Sequence, residues 1–220
     1  MRTPQHLLAL TLGLFVASAW SAQGATCPRI YLASTGDPVT QQLYADGAPP
    51  LRLSCAMQVN GNVLSFAVAP DCSRVIYVAD ATRDQIYDLW SVPITGGTCV
   101  MVSNRYAPGT RDYDVRAVVQ VSLDSTRAVY VWGWSSGGSW EMWSAPIAAA
   151  NSVARISQPG RVGRGPRDDW SLISEARVRY ASDVETDETF RWYVVPIIGG
   201  RILREIFSDG FNNGSKGAWQ

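Results

Sequence analysis

The feature that most constrains this chain is an internal repeat with a fixed ruler. The segment RVIYVADATRDQIYDLWSVPITGG begins at Arg74, RAVYVWGWSSGGSWEMWSAPIAAA at Arg127 and RVRYASDVETDETFRWYVVPIIGG at Arg177. In each, Arg stands three residues before a Tyr (Tyr77, Tyr130, Tyr180), and a Pro-Ile pair opens 16 residues after that Tyr, at Pro93, Pro146 and Pro196. An aromatic residue sits three before each Pro: Trp90, Trp143 and Tyr193. The period is 53 and then 50 residues, and an eroded fourth copy leads from Ile30-Tyr31 to Leu43-Tyr44 with the same 13-residue interval between aromatics. Repeats of this length decide a fold, because one unit cannot bury its own apolar surface and must stack on its neighbours.

Each unit reads as four short strands. In the best-preserved copy, Leu64 to Ala69 alternates apolar and small residues, and Pro70 to Ser73 turns the chain. Val75 to Ala79 is a β-branched and aromatic strand, Ala81 to Gln85 a polar hairpin loop, and Ile86 to Ile94 the third strand. Gly96-Gly97 turns it into a last strand, Cys99 to Ser103. No helical period is present after the first 25 residues. The expected fold is all-β: a β-propeller of about four blades, three full four-stranded repeats plus one partial, open or incompletely closed. The partial blade spans residues 27–55 and the full ones about 62–104, 116–157 and 168–206, with a polar tail at 207–220. The tail is too polar and Gly-rich to supply the missing inner strand, so open strand edges and self-association through them, or completion by another copy, are expected.

These residues resemble a known family. FAVAPDCSRVIYVAD followed by DLWSVPITGG is similar to the WD-like propeller repeat of TolB-type periplasmic proteins and of prolyl-oligopeptidase-type propellers. The resemblance is closest at Ala69 to Tyr77 and Leu89 to Gly97, and weakens at Leu123 to Ser125 and Ser174 to Ala176, where the turn has lost its Pro and Gly. It covers about Ile30 to Ile206 and implies a propeller, with function following only loosely, because propellers host many roles. The blade count is short for that family, and the catalytic domain that follows a prolyl-oligopeptidase propeller is not expected here. Phe207, Asp209, Gly210, Phe211 and Trp219 resemble a short C-terminal segment of exported proteins from some high-GC Gram-negative bacteria.

Residues 1–24 carry Arg2, an apolar run from Leu7 to Ala19 and then small residues, the order of a secretory signal peptide cleaved near Gly24. The run is too short to span a bilayer. Gly24-Ala25-Thr26 before Cys27 lacks the branched apolar residue of a lipoprotein signal, so the chain reads as exported, periplasmic or extracellular in a Gram-negative bacterium, with no lipid anchor. The four cysteines, Cys27, Cys55, Cys72 and Cys99, then read as two disulfides. Cys72 and Cys99 fall at the same end of one up-and-down blade, so the expected pairs are Cys72–Cys99 and, by remainder, Cys27–Cys55.

The charge is balanced, 19 Lys+Arg against 19 Asp+Glu, which argues against a broad electrostatic grip on nucleic acid or anionic lipid. The one histidine, His6, lies in the leader, so the mature chain is expected to lack Ser-His-Asp, Cys-His and His-metal chemistry. No cofactor signature is present, and a non-catalytic protein- or peptide-binding module is the expected role. Two segments are the candidate ligand contacts. Trp134 and Trp140 flank a Gly/Ser-rich hairpin tip, where flat aromatic faces suit a sugar or a peptide. Arg161, Arg164 and Arg167 lie with Arg155 in a Gly- and Pro-spaced linker suited to a carboxylate or phosphate, though Asp168 and Asp169 follow directly. The acidic hairpin Asp183, Glu185, Asp187 and Glu188 leaves open a carbohydrate-directed alternative, lectin or carboxylate-pair glycosidase, beside the simpler reading of a solvated tip. A degenerate fragment without ligand is the third reading.

Overall fold

The computed structural model describes residues 26–34, 40–103, 113–134, 138–150 and 152–205; the expected signal peptide and tail lie outside them. The first blade is the three-stranded sheet β1 (Ile30–Ser34), β2 (Gln41–Ala45) and β3 (Leu51–Arg52). The second is β4 (Val63–Val68), β5 (Arg74–Arg83), β6 (Ile86–Pro93) and β7 (Val100–Met101). The third is β8 (Tyr113–Val121), β9 (Arg127–Trp134), β10 (Ser139–Pro146) and β11 (Ala154–Arg155), and the fourth is β12 (Ser171–Ser174), β13 (Arg177–Ser182), β14 (Arg191–Pro196) and β15 (Leu203–Arg204). Every sheet is antiparallel with its strands in chain order. β1 to β3 correspond to strands two to four of the other blades, and among the described residues no inner strand pairs with β1. In the second blade β5 runs on to Arg83, past the expected start of the hairpin loop at Ala81, through a bulge beyond Ala79.

The ruler in the sequence is hairpin register. Tyr77 stands opposite Trp90, Tyr130 opposite Trp143, Tyr180 opposite Tyr193 and Tyr31 opposite Tyr44, each pair across strands two and three. Residues directly opposite share one face of a sheet, and in blades two to four that face meets the preceding blade. The opposite face meets the following one. Successive blades therefore bury three clusters: Leu43 and Leu53 with Tyr77 and Trp90, Ile76 and Leu89 with Tyr130 and Trp132, and Val129 and Met142 with Tyr180 and Tyr193. A ring of four would make four such interfaces; among the described residues the buried clusters number three, one for each consecutive pair of blades.

The repeated Arg has a packing role as well. Arg74 Nε donates to Ser91 Oγ at 2.6 Å across β5 and β6, and Arg127 Nε to Ser144 Oγ at 2.7 Å across β9 and β10. The Ser91 hydroxyl in turn donates to the carbonyl of Ile147 in the next blade. Val194 takes the serine position in the fourth blade. A second recurring serine closes each of the first three blades: Ser54, Ser103 and Ser157 accept from the amides of Leu43, Leu89 and Met142 at 3.3, 3.1 and 2.9 Å.

The disulfides join Cys27 to Cys72 and Cys55 to Cys99, which corrects the expected Cys72–Cys99 and Cys27–Cys55 pairs. Cys72 turns the chain into β5 while Cys99 leads into β7, and β6 lies between. Two strand spacings, about 9.6 Å, exceed the Cα separation of about 7 Å that a disulfide can bridge. The neighbouring blade is nearer: Cα–Cα distances are 5.3 Å for Cys27–Cys72 and 6.0 Å for Cys55–Cys99. Both bonds therefore stitch blade one to blade two, and two disulfides suit an oxidising, extracytoplasmic compartment. No described helix is long and apolar enough to cross a membrane.

The buried tyrosines supply a pH expectation. Burial pushes the Tyr77 and Tyr193 hydroxyls up to about 12, with Glu185 adding to the effect at Tyr193, and burial raises Tyr180 as well. A raised folded-state pKa favours the neutral form, so this stabilisation is complete below the unfolded value near 10 and is lost as pH rises through about 12. Tyrosinate absorbance should show these three groups ionising together with cooperative unfolding above pH 10. Smooth titration of every tyrosine near pH 10 with the fold intact would contradict it.

Candidate functional site

Because the strands alternate in direction, the hairpins between strands two and three and the linkers to the next blade gather at one end of the blades. The first-to-second and third-to-fourth turns, with Cys72 and Gly96-Gly97, gather at the other. At the hairpin end the linker between blades three and four lies over the β9–β10 hairpin. Gly163 N donates to Gly138 O at 3.1 Å, Gly160 N to Glu141 Oε1 at 3.0 Å and Arg167 N to Ala181 O at 3.0 Å. Asp183, buried at the end of β13, accepts from Gly165 N at 2.9 Å. The glycines are required by the close approach: a Cβ on Gly160 or Gly165 would stand 2.6 or 2.5 Å from the Trp140 carbonyl oxygen.

This arrangement leaves an open cleft of about 150 Å³ lined by Arg116, Trp140, Arg164, Arg167, Asp183 and Phe190, among others. The Arg116 guanidinium lies 4.3 Å from the Trp140 ring centre and that of Arg167 lies 4.6 Å from Phe190, both within cation–π range. Arg116 pairs with Asp168 at 3.0 Å, Arg164 with Asp187 at 3.6 Å and Arg167 with Asp169 at 3.9 Å. These pairs are substantially exposed, and such pairs hold by about 1 kcal/mol or less. A ligand carboxylate can exchange for an aspartate at little cost.

Arg116 reaches the cleft through a bulge. Val115 stands opposite Trp132 and Val119 opposite Tyr130, so Arg116, Ala117 and Val118 together face the single residue Val131. A bulge re-aims side chains and bends the strand. Here it sends Arg116 over Trp140 and brings the Ala117 carbonyl to the Ser65 hydroxyl of the second blade.

Of the residues singled out from the sequence, Trp140, Arg164 and Arg167 come together in this cleft. Arg161 shapes the linker instead, accepting from Arg164 N at 2.9 Å through its carbonyl. Trp134 ends β9 opposite Tyr113 and Ser139, outside the cleft lining. The acidic hairpin is distributed among other tasks: Asp183 ties down the linker, Asp187 meets Arg164, and Glu185 lies 3.7 Å from both Arg191 and Arg204. Among the described residues no group of three or more His, Cys, Asp or Glu is placed to hold a metal. Arg116 and Phe190 escaped sequence reasoning. Phe190 stands two residues after Glu188, the last of the acidic run, and an aromatic beside charges was the available signal; a bulge leaves none.

Comparison with solved structures places the fold. A structure from a study of two prolyl endopeptidases matches with a TM-score of 0.53 at 12% identity, over 80% of this chain and 27% of that one. TolB from Acinetobacter baumannii gives 0.45 at 13% identity over 79% of this chain and 41% of its own. The β-propeller domain of the trilobed protease from Pyrococcus furiosus gives 0.49 at 10% identity, over 81% and 56%. The chain thus spans between 27% and 56% of the structures it resembles. At these identities the likeness shows the fold, a β-propeller, and no more. No protein-family model matches the chain, and no curated protein does.

Proposed function

We propose that this chain is an exported, non-catalytic, TolB-like propeller module that binds a protein or peptide at its hairpin end, in the periplasm or outside a Gram-negative cell and without a lipid anchor. One observation carries the reading: a strand bulge, a glycine-rich linker and an acidic hairpin from two blades converge on one cleft with three arginines and two aromatic walls. Its size admits one or two side chains of a longer ligand. Its arginines suit acidic ones. The carbohydrate-directed alternative finds less support. One side of Trp140 packs on the core and Arg116 covers its ring, so no bare aromatic platform is offered to a sugar. A glycosidase needs two converging carboxylates, and among the described residues Asp183 is the one carboxylate lining the cleft.

Cross-linked capture from a native periplasmic extract tests the reading. The expected result is a reproducible partner whose recovery falls roughly tenfold or more in an Arg116→Ala/Arg167→Ala variant that keeps the wild-type circular dichroism. Trp140→Ala should weaken capture as well, and Trp134→Ala should not. Equal capture by all forms would place binding elsewhere, and no capture by any form would favour a degenerate propeller without a ligand.

A further inference from the structure

The register of the blades allows each position to be compared with its equivalents, and three positions depart together. The residue before the repeated Tyr is Ile30, Ile76 and Val129 in the first three blades and Arg179 in the fourth. The residue before the cross-strand aromatic is Leu43, Leu89 and Met142, then Trp192. The residue whose amide closes strand four onto that position is Leu53, Val102 and Ile156, then Glu205. In the first three blades these nine side chains are apolar and pack into the interface with the following blade. In the fourth they are a cation, an indole and an anion.

The three replacements also satisfy one another. Arg179 Nε donates to Glu205 Oε2 at 2.9 Å, and the Arg179 guanidinium lies 4.0 Å from the Trp192 ring centre. A face meant to receive a fifth blade would have to bury this pair, and burying charge in an apolar interface costs several kcal/mol per ion. Left in water, the pair is compatible with solvent and its guanidinium shields the indole. Stacked-repeat proteins end their arrays with a polar outer face of this kind.

We propose that Arg179, Trp192 and Glu205 form a terminal cap on the outward face of blade four, which prevents the arc from adding a blade there, whether from a second copy or from another propeller. The cap is independent of the ligand cleft, which lies on the hairpin end of the same blade.

Light scattering after size exclusion, with the full mature chain, tests this directly. Wild type should keep a monomer mass across a hundredfold range of concentration. Installing the inner-blade residues, Arg179→Val with Trp192→Leu and Glu205→Ile, should shift the mass toward dimer and larger species at concentrations where wild type is monomeric. Should that triple variant not be recovered folded, the Arg179→Val/Glu205→Ile pair carries the same expectation. A variant that stays monomeric while retaining the wild-type circular dichroism would overturn the proposal. So would a wild-type dimer that dissociates on Arg179→Glu, since this face would then be an interface.

Discussion

Replacing Cys55 and Cys99 together by alanine should lower the free energy of unfolding by about 4 kcal/mol. The bond spans 44 residues, from the end of blade one to the outer strand of blade two. Cutting it restores the chain entropy of that loop to the unfolded ensemble. It also empties a packed contact, because the Tyr77 hydroxyl lies 2.8 Å from Cys55 Sγ and 3.4 Å from Cys99 Sγ. Urea titration of the double variant should show an earlier midpoint. Peptide mapping of the wild type under non-reducing conditions should recover Cys27 with Cys72 and Cys55 with Cys99. Recovery of a Cys72–Cys99 peptide, or a stability change below about 1 kcal/mol, would show that the blades are not stitched in this way.

Gly133→Ala should cost about 3 kcal/mol or more, lowering the melting temperature by roughly 10 °C for a domain of this size. Gly133 faces Trp140 across β9 and β10. A Cβ there would lie 2.1 Å from the Ser139 carbonyl oxygen and 2.7 Å from the Trp140 Cα, backbone atoms that move only if the strands part. Asp80 and Asp183 occupy this repeat position in blades two and four, where each carboxylate accepts backbone amides. Averaging the repeats would therefore recommend Gly133→Asp, and that change should do more damage than alanine. Since Trp140 forms one wall of the cleft, the alanine variant should lose partner capture along with stability. Stability within about 1 kcal/mol of wild type would refute the close approach.

The strands and their order were legible because the 13-residue interval from Tyr77 to Trp90 measures a hairpin whose two ends must lie opposite each other, and a one-residue slip would turn every side chain to the other face. The last strand of each blade was harder to see. At two paired residues, as in Val100–Met101, it offers no alternation to detect, and the apolar-Ser pairs Leu53-Ser54, Val102-Ser103 and Ile156-Ser157 lie at unequal distances from the preceding strand. The cysteine pairing depended on contacts between blades, which reasoning within one blade could not reach. Half of the cleft was readable for a similar reason. Trp140, Arg164 and Arg167 lie on segments of unusual composition, whereas Arg116 belongs to an ordinary strand and is delivered by a bulge of two extra residues that no composition marks.

The stitching described above is uneven. Among the described residues, blade one is tied to blade two by two covalent bonds, blades two and three each lie between two buried clusters, and blade four packs into one. In an array stabilised by nearest neighbours, opening starts where a unit has the fewest. Amide protons of β13 and β14 should consequently exchange faster than those of β5 and β6. The hairpin bearing Asp183 and Phe190 belongs to that looser end, so an occupant of the cleft meets one firm wall and one that opens transiently. Its grip would register first as slowed exchange in the fourth blade, making that blade a built-in reporter of whatever the cleft holds.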